Sequence, residues 1–166
     1  ILTELARQWH HDGHEITVIQ TSPNRYGTEY ALPEGIEQIQ IHTTSSNKIL
    51  RFLQEIKALI GILKQRPNAT CLSFLSASSF ILAISSWFVK NRMVFSERNN
   101  PRNVPVCKHQ QILRNCAFRF ADAIVFQTED AKSYFSKSKQ SRGHIIPNPI
   151  NGNYQNLTKE NVKRLL

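Results

Sequence analysis

Ala69-Thr70-Cys71-Leu72-Ser73-Phe74-Leu75-Ser76-Ala77-Ser78-Ser79-Phe80 opens the stretch whose reading decides the fold. From residue 68 to residue 89 the chain carries no charge, a length that suits a membrane-spanning helix. Ser73, Ser76, Ser78, Ser79, Ser85 and Ser86 dilute its hydrophobicity, and residues 76–79 read as a turn from strand into helix. We therefore read a buried strand over 69–75 and a buried helix over 78–90 rather than a span. Arg92-Met93-Val94-Phe95-Ser96 follows as a second strand, rich in β-branched and aromatic residues. A strand, a helix and a strand in succession form a crossover between parallel neighbours.

The same alternation continues outward. Leu2, Leu5, Ala6 and Trp9 share one helical face, and Asp12-Gly13 stops that helix, with Gly13 suited to the left-handed position. Residues 15–20 (Glu-Ile-Thr-Val-Ile-Gln) read as a strand ended by Thr21-Ser22-Pro23-Asn24, and residues 36–42 as a second, outer strand. Residues 47–66 give the clearest helix, with Ile49, Phe52, Leu53, Ile56, Leu59, Ile60 and Leu63 at 3.6-residue spacing and Pro67 as the stop. Its other face carries Lys48, Arg51, Lys57, Lys64 and Arg66, a solvated face or one that rests on anionic lipid. A helix over 108–120 is expected to turn Ile112, Leu113, Cys116, Ala117 and Phe120 inward. A strand over 123–127, a helix capped by Thr128 and a last strand over 144–150 complete the series.

Strands alternating with helices predict an α/β, Rossmann-like doubly wound parallel sheet. One domain over 1–150 and the start of a linker over 151–166 account for the chain. In such a sheet the first strand is central and precedes the first helix. This chain opens inside a helix and without an initiator Met, so we expect a fragment lacking that first strand, and poor stability when it is expressed alone.

Lys and Arg number 21 against 12 Asp and Glu, a formal net charge of +9. That excess favours phosphates of any origin, on nucleic acid, anionic lipid or nucleotide. Cys71, Cys107 and Cys116 form no Cys-x-x-Cys pair, and Cys71 lies in an apolar strand. A disulfide scaffold is not expected, and a reducing cytoplasm fits best. The six histidines show no metal-ligand spacing, so no metal is expected.

Ligands of open α/β sheets bind outside the carboxyl ends of the strands. Those ends are Thr21-Ser22, Ser76-Ala77-Ser78, Glu97-Arg98-Asn99, Gln127-Thr128 and, in the Pro147-Asn148-Pro149 turn, Asn148. Glu97 and Arg98 are the sharpest candidates. As neighbours in an extended strand they point to opposite faces, and they also read as a purely structural pair, with Arg98 buttressing a loop and Glu97 capping the next segment. Ser76 and Ser78 stand where a helix begins, as caps or as part of an anion- or sugar-binding start.

Several of these blocks resemble a known family. Gly13-His14-Glu15-Ile16-Thr17-Val18-Ile19 resembles the "GHEVTVI" stretch after the first helix of family 4 glycosyltransferases. Ser73-Phe74-Leu75, Ser96 to Pro101 (Ser-Glu-Arg-Asn-Asn-Pro), Ala121 to Thr128 (Ala-Asp-Ala-Ile-Val-Phe-Gln-Thr) and Ile145-Ile146-Pro147-Asn148-Pro149-Ile150 resemble later blocks of its N-terminal half, in the right order. The resemblance implies one half of a GT-B enzyme, retaining and independent of metal or other cofactor. The acceptor would lie on this half and the nucleotide-sugar donor mainly on an absent C-terminal domain, so this piece alone is not expected to transfer sugar. It further implies acceptor contacts from Glu97, Arg98, Asn99, Ser76 and Ser78, with Arg98 on a lipid-linked phosphate and Asn148 at the hinge near the donor. Relatives carry a histidine where this chain has Ser96 or Glu97, so no catalytic residue is assigned. The implied setting is bacterial polysaccharide biosynthesis (capsule, lipopolysaccharide or exopolysaccharide), in the cytoplasm and at the inner face of the plasma membrane.

Two other classes fit the residues less well. A non-catalytic Rossmann-like module binding nucleic acid would interleave aromatics with Lys and Arg, whereas here the aromatics follow apolar patterns. A nicotinamide-dependent oxidoreductase needs Gly-x-Gly-x-x-Gly, a spacing that none of the six glycines shows.

Overall fold

The computed structural model describes residues 2–20, 32–74, 76–104 and 107–148. Its elements are α1 (Leu2–His11), β1 (Thr17–Gln20), β2 (Glu37–Gln40), α2 (Lys48–Lys64), β3 (Thr70–Phe74), α3 (Ser76–Ser85), β4 (Arg92–Ser96), α4 (Lys108–Ala117), β5 (Ala123–Phe126), α5 (Glu129–Ser133), α6 (Lys137–Gln140) and β6 (Gly143–Ile145). Every strand pairing among the described residues is parallel, as the alternation of strands and helices requires. The uncharged stretch is β3 followed by α3, and no helix among the described residues is long and apolar enough to cross a membrane.

The strands fall into two sheets. β1 pairs with β2, while β3, β4, β5 and β6 form a four-stranded sheet in that order. No described strand joins β1 to β3. The two sheets nevertheless share one core. Ile19 of β1 and Ile41 beyond β2 pack into the same cluster as Ile56, Leu59 and Leu63 of α2, Ile81 and Leu82 of α3, and the central-strand residues Met93, Phe95, Ile124 and Phe126. Phe95, Ile124 and Phe126 are fully buried, as expected for parallel strands covered on both faces. In β3, burial pushes the Cys71 thiol up to about 11, the environment of an inert buried cysteine.

Local chemistry sets the ends of the elements. Gly13 has φ +86°, and the amides of Gly13 and His14 reach back to the carbonyls of His10 and Trp9, a Schellman closure of α1. The Asn47 side chain caps α2 by accepting from the amides of Ile49 and Leu50, and Thr128 caps α5 by accepting from Ala131.

The structure corrects several boundaries and faces. α3 begins at Ser76 and ends at Ser85 rather than spanning 78–90, and β6 stops at Ile145. In α2, Ile49 and Leu53 are exposed, so its first turns project past the core, and Arg66 is drawn to Glu37 at 2.7 Å instead of facing solvent alone. The inward face of α4 is also different. Ile112, Leu113, Cys116 and Phe120 are exposed, and the buried stripe is Arg114, Ala117, Phe118 and Ala121. That stripe keeps the i, i+3, i+4, i+7 spacing of a core face, but its first member is an arginine. The expected linker over 151–166 and the strand end at Thr21-Ser22 lie outside the described residues.

Candidate functional site

At the carboxyl end of β4 the chain leaves the sheet through Glu97 and Arg98, and the two side chains part. The Glu97 amide still donates to the Val125 carbonyl of β5 at 2.9 Å, so this residue is held as a continuation of the strand. Its carboxylate points inward and is only 3% exposed. One oxygen accepts from the Asn99 amide at 3.1 Å, and the other faces Arg114 Nη1 at 3.4 Å. Burial, partly offset by those partners, pushes the Glu97 carboxyl above its ordinary value.

Arg114 is completely buried. Its Nη1 donates to the Val104 carbonyl at 2.6 Å and its Nη2 to the Pro101 carbonyl at 3.2 Å, while the guanidinium lies over the rings of Tyr134 and Phe135. One side chain from α4 thus gathers both ends of the 97–104 loop. An arginine can do this because its planar fork offers several fixed donors at once.

Arg98 turns the other way. Its Nη1 donates to Asn148 Oδ1 at 2.6 Å, and its guanidinium sits 5.2 Å from the centre of the Phe74 ring at the end of β3. Its Nε is buried without a hydrogen-bond partner among the described residues. No carboxylate pairs with it among those residues. Burial lowers its pKa. A cation held by a neutral amide and an aromatic face keeps donors available to an anionic or hydroxylic ligand.

The remaining candidates are placed as follows. Asn99 contributes its amide to the Glu97 cap and is half-buried. Ser76 begins α3, and Ser78, one turn in, donates its hydroxyl back to the Phe74 carbonyl. Ser73 and Ser79 exchange a 2.7 Å hydroxyl bond beneath them. Ser96 Oγ is buried with no partner among the described residues. The fold therefore brings Arg98, Phe74, Asn148 and the first turn of α3 to one end of the sheet and turns Glu97 away from them. Sequence reading missed Arg114; the only available signal was an arginine occupying a core position of a helical stripe. Among the described residues no group of three or more His, Cys, Asp or Glu is placed to hold a metal ion. A separate cavity of about 340 Å3 lies at the opposite, amino-terminal ends of β4 and β5, bounded by Lys90, Arg92, Phe120 and Asp122.

No protein-family model matches the chain, and no curated protein matches it. Solved structures do. HepE of Anabaena in complex with UDP superposes with a TM-score of 0.55 at 13% identity, covering 92% of this chain and 49% of that one. HepE with UDP and glucose gives 0.57 at 11% identity, covering 91% and 49%, and HepE with UDP-glucose gives 0.55 at 11%, covering 91% and 48%. This chain spans about half the length of those structures. At such identity the likeness shows the fold alone, a Rossmann-like α/β unit with parallel strands.

Proposed function

We propose that this chain is the acceptor-side half of a retaining, family 4-like glycosyltransferase that moves a sugar from a nucleotide-sugar to a lipid-linked saccharide. The fold shared with HepE, a protein solved with UDP and UDP-glucose, supports the nucleotide-sugar as donor. The observation that carries the acceptor assignment is Arg98, a cation without a counter-charge among the described residues at the carboxyl ends of the strands. In this reading Arg98 and Asn148 hold the phosphate of the lipid-linked acceptor, and Asn99, Ser76 and Ser78 line the saccharide. Glu97 acts through the loop it caps. The donor is held mainly by a second domain, no metal takes part, and the work is bacterial surface-polysaccharide synthesis at the cytoplasmic face of the membrane.

The test is calorimetric titration of the chain with a short-chain prenyl pyrophosphate-linked glucose. Binding is expected, and Arg98→Ala should weaken it by about tenfold or more, the loss of one charge-assisted contact. Equal binding by the variant would remove Arg98 from the acceptor site.

A further inference from the structure

We propose that the cavity at the amino-terminal ends of β4 and β5 is a binding site for a phosphorylated sugar, with the phosphate on Lys90 and Arg92 and the sugar ring between Phe120 and Asp122. The cavity measures about 340 Å3, within the range of small-ligand sites, and Ser86 and Asn91 complete its wall. Arg92 opens β4 and Asp122 stands one residue before β5, so the parallel pairing of the two strands brings both to one edge. That edge is the far end of the sheet from Arg98.

Each group in the cavity suits one part of such a ligand. Lys90 and Arg92 are exposed, and their side chains make no hydrogen bond or ion pair among the described residues. A compact ammonium beside a planar fork of donors matches the oxygens of a phosphate monoester. Asp122 is engaged from one side only. Its Oδ2 accepts from the Met93 amide at 2.7 Å, and its own amide donates to the Met93 carbonyl at 2.8 Å. The other carboxylate oxygen has no donor among the described residues. A carboxylate can only accept, so it selects hydroxyls over a second anion. Phe120 is 40% exposed and presents an apolar ring to the C–H face of a sugar.

The frame around these groups is fixed in advance. Trp87 backs the Phe120 ring edge to face at 5.6 Å. Arg142 holds the turn that carries Phe120, its guanidinium donating to the carbonyls of Phe118, Arg119 and Ala121. The Asn91 side chain donates to the carbonyls of Arg66 at 2.6 Å and Ala69 at 3.1 Å, and the Ser86 hydroxyl to that of Ala83 at 2.7 Å. Groups held this way give up little freedom when a ligand arrives. The carboxylate sets the selectivity: it repels a bare phosphate and favours one that carries a polyol. Mononucleotides and hexose phosphates share that chemistry. The inference does not depend on the reading of Arg98.

Calorimetric titration of the chain with glucose 6-phosphate, uridine monophosphate and inorganic phosphate tests it. At least one of the two sugar phosphates is expected to bind, tighter than inorganic phosphate by about tenfold. Which of them binds identifies the source of the ligand, and either satisfies the proposal. Lys90→Ala and Arg92→Ala, both at exposed positions, should each weaken that binding by about tenfold, one charge-assisted contact. Asp122→Asn should cut the preference for the sugar phosphate over inorganic phosphate by about fivefold or more, a ratio that a purely structural role would leave alone. Arg98→Ala should change nothing here. Failure of both sugar phosphates to bind, equal binding of inorganic phosphate, or undiminished binding in a Lys90→Ala/Arg92→Ala protein would each overturn it. So would binding that is lost in Arg98→Ala, which would place the ligand in the crevice at the other end of the sheet.

Discussion

Arg98 and Asn148, fifty residues apart in the chain, meet through a 2.6 Å hydrogen bond that ties the exit of β4 to the segment beyond β6. The partner is a neutral amide, which leaves the guanidinium its full charge. Asn148→Asp would supply a carboxylate at the same distance and satisfy that charge internally. We expect Asn148→Asp to weaken binding of a pyrophosphate-bearing ligand by about tenfold, the scale of a charged hydrogen bond, while leaving the melting temperature equal or higher. Titration and thermal melts on the same samples check both halves.

Arg114 and Glu97 form a buried pair, and removing one partner strands the other. Arg114→Met should destabilise the chain by about 3–5 kcal/mol. Part of that loss comes from the carbonyls of Val104 and Pro101, which lose their donor. Arg114→Lys should recover only a fraction, since a single ammonium cannot span both carbonyls and the carboxylate. Urea midpoints order the three proteins.

The raised pKa of Glu97 fixes the sign of a pH effect. Its folded value lies above its unfolded one, so its contribution is fully present below the unfolded pKa and is lost as pH rises through the folded one. Stability of the chain should therefore fall across the range just above an ordinary glutamate's pKa. In Glu97→Gln, whatever its absolute stability, that component of the slope should be gone. Unfolding free energies at a series of pH values, compared between the two proteins, decide it.

Two glycines should respond oppositely to alanine. A Cβ on Gly143 would stand 2.6 Å from the Phe126 ring, and overpacking of that kind costs about 1–3 kcal/mol. Gly61 lies within α2 with nothing within 4 Å of the added atom, so Gly61→Ala should stabilise by about 0.5–1 kcal/mol through helix propensity alone. Paired denaturation curves test the difference in sign.

The division into two sheets bears on overall stability. β1 and β2 are each four residues long and, among the described residues, pair only with each other, and an isolated two-stranded ribbon is marginal in water. The chain alone should melt below about 50 °C, low in the mesophile range. A cooperative transition above that temperature, followed by circular dichroism, would refute this.

Most of the fold was legible in the sequence because it was written in periods. The stripe through Ile56, Leu59 and Leu63, the apolar runs of β4 and β5, the Gly13 stop and the Thr128 cap are local signals with local causes. The errors arose where tertiary contacts overrode the local signal. The rotation of α4 is set by Arg114 reaching Glu97, a contact seventeen residues away in the chain that no hydropathy pattern encodes. Ile49 and Leu53 obey the helical period but lie beyond the edge of the core. The candidate site was readable as strand ends and no further. That Arg98 would find Asn148 and Phe74 while Glu97 turned inward depends on the pleat and on long-range packing, and only the three-dimensional structure shows which of two adjacent residues faces the crevice.

The break between β1 and β3 also governs how the chain behaves in concentrated solution. Each of these strands has one side with no strand beside it among the described residues, and such a row of amides and carbonyls can template pairing with a neighbouring molecule. The formal charge of +9 holds molecules apart over roughly a Debye length, about 10 Å at 0.1 M salt. Salt shortens that reach while leaving the hydrogen-bonding edges untouched. Dilute, low-salt buffer is therefore the condition that keeps this chain dispersed, and concentrating it in high salt is the route to edge-to-edge aggregates.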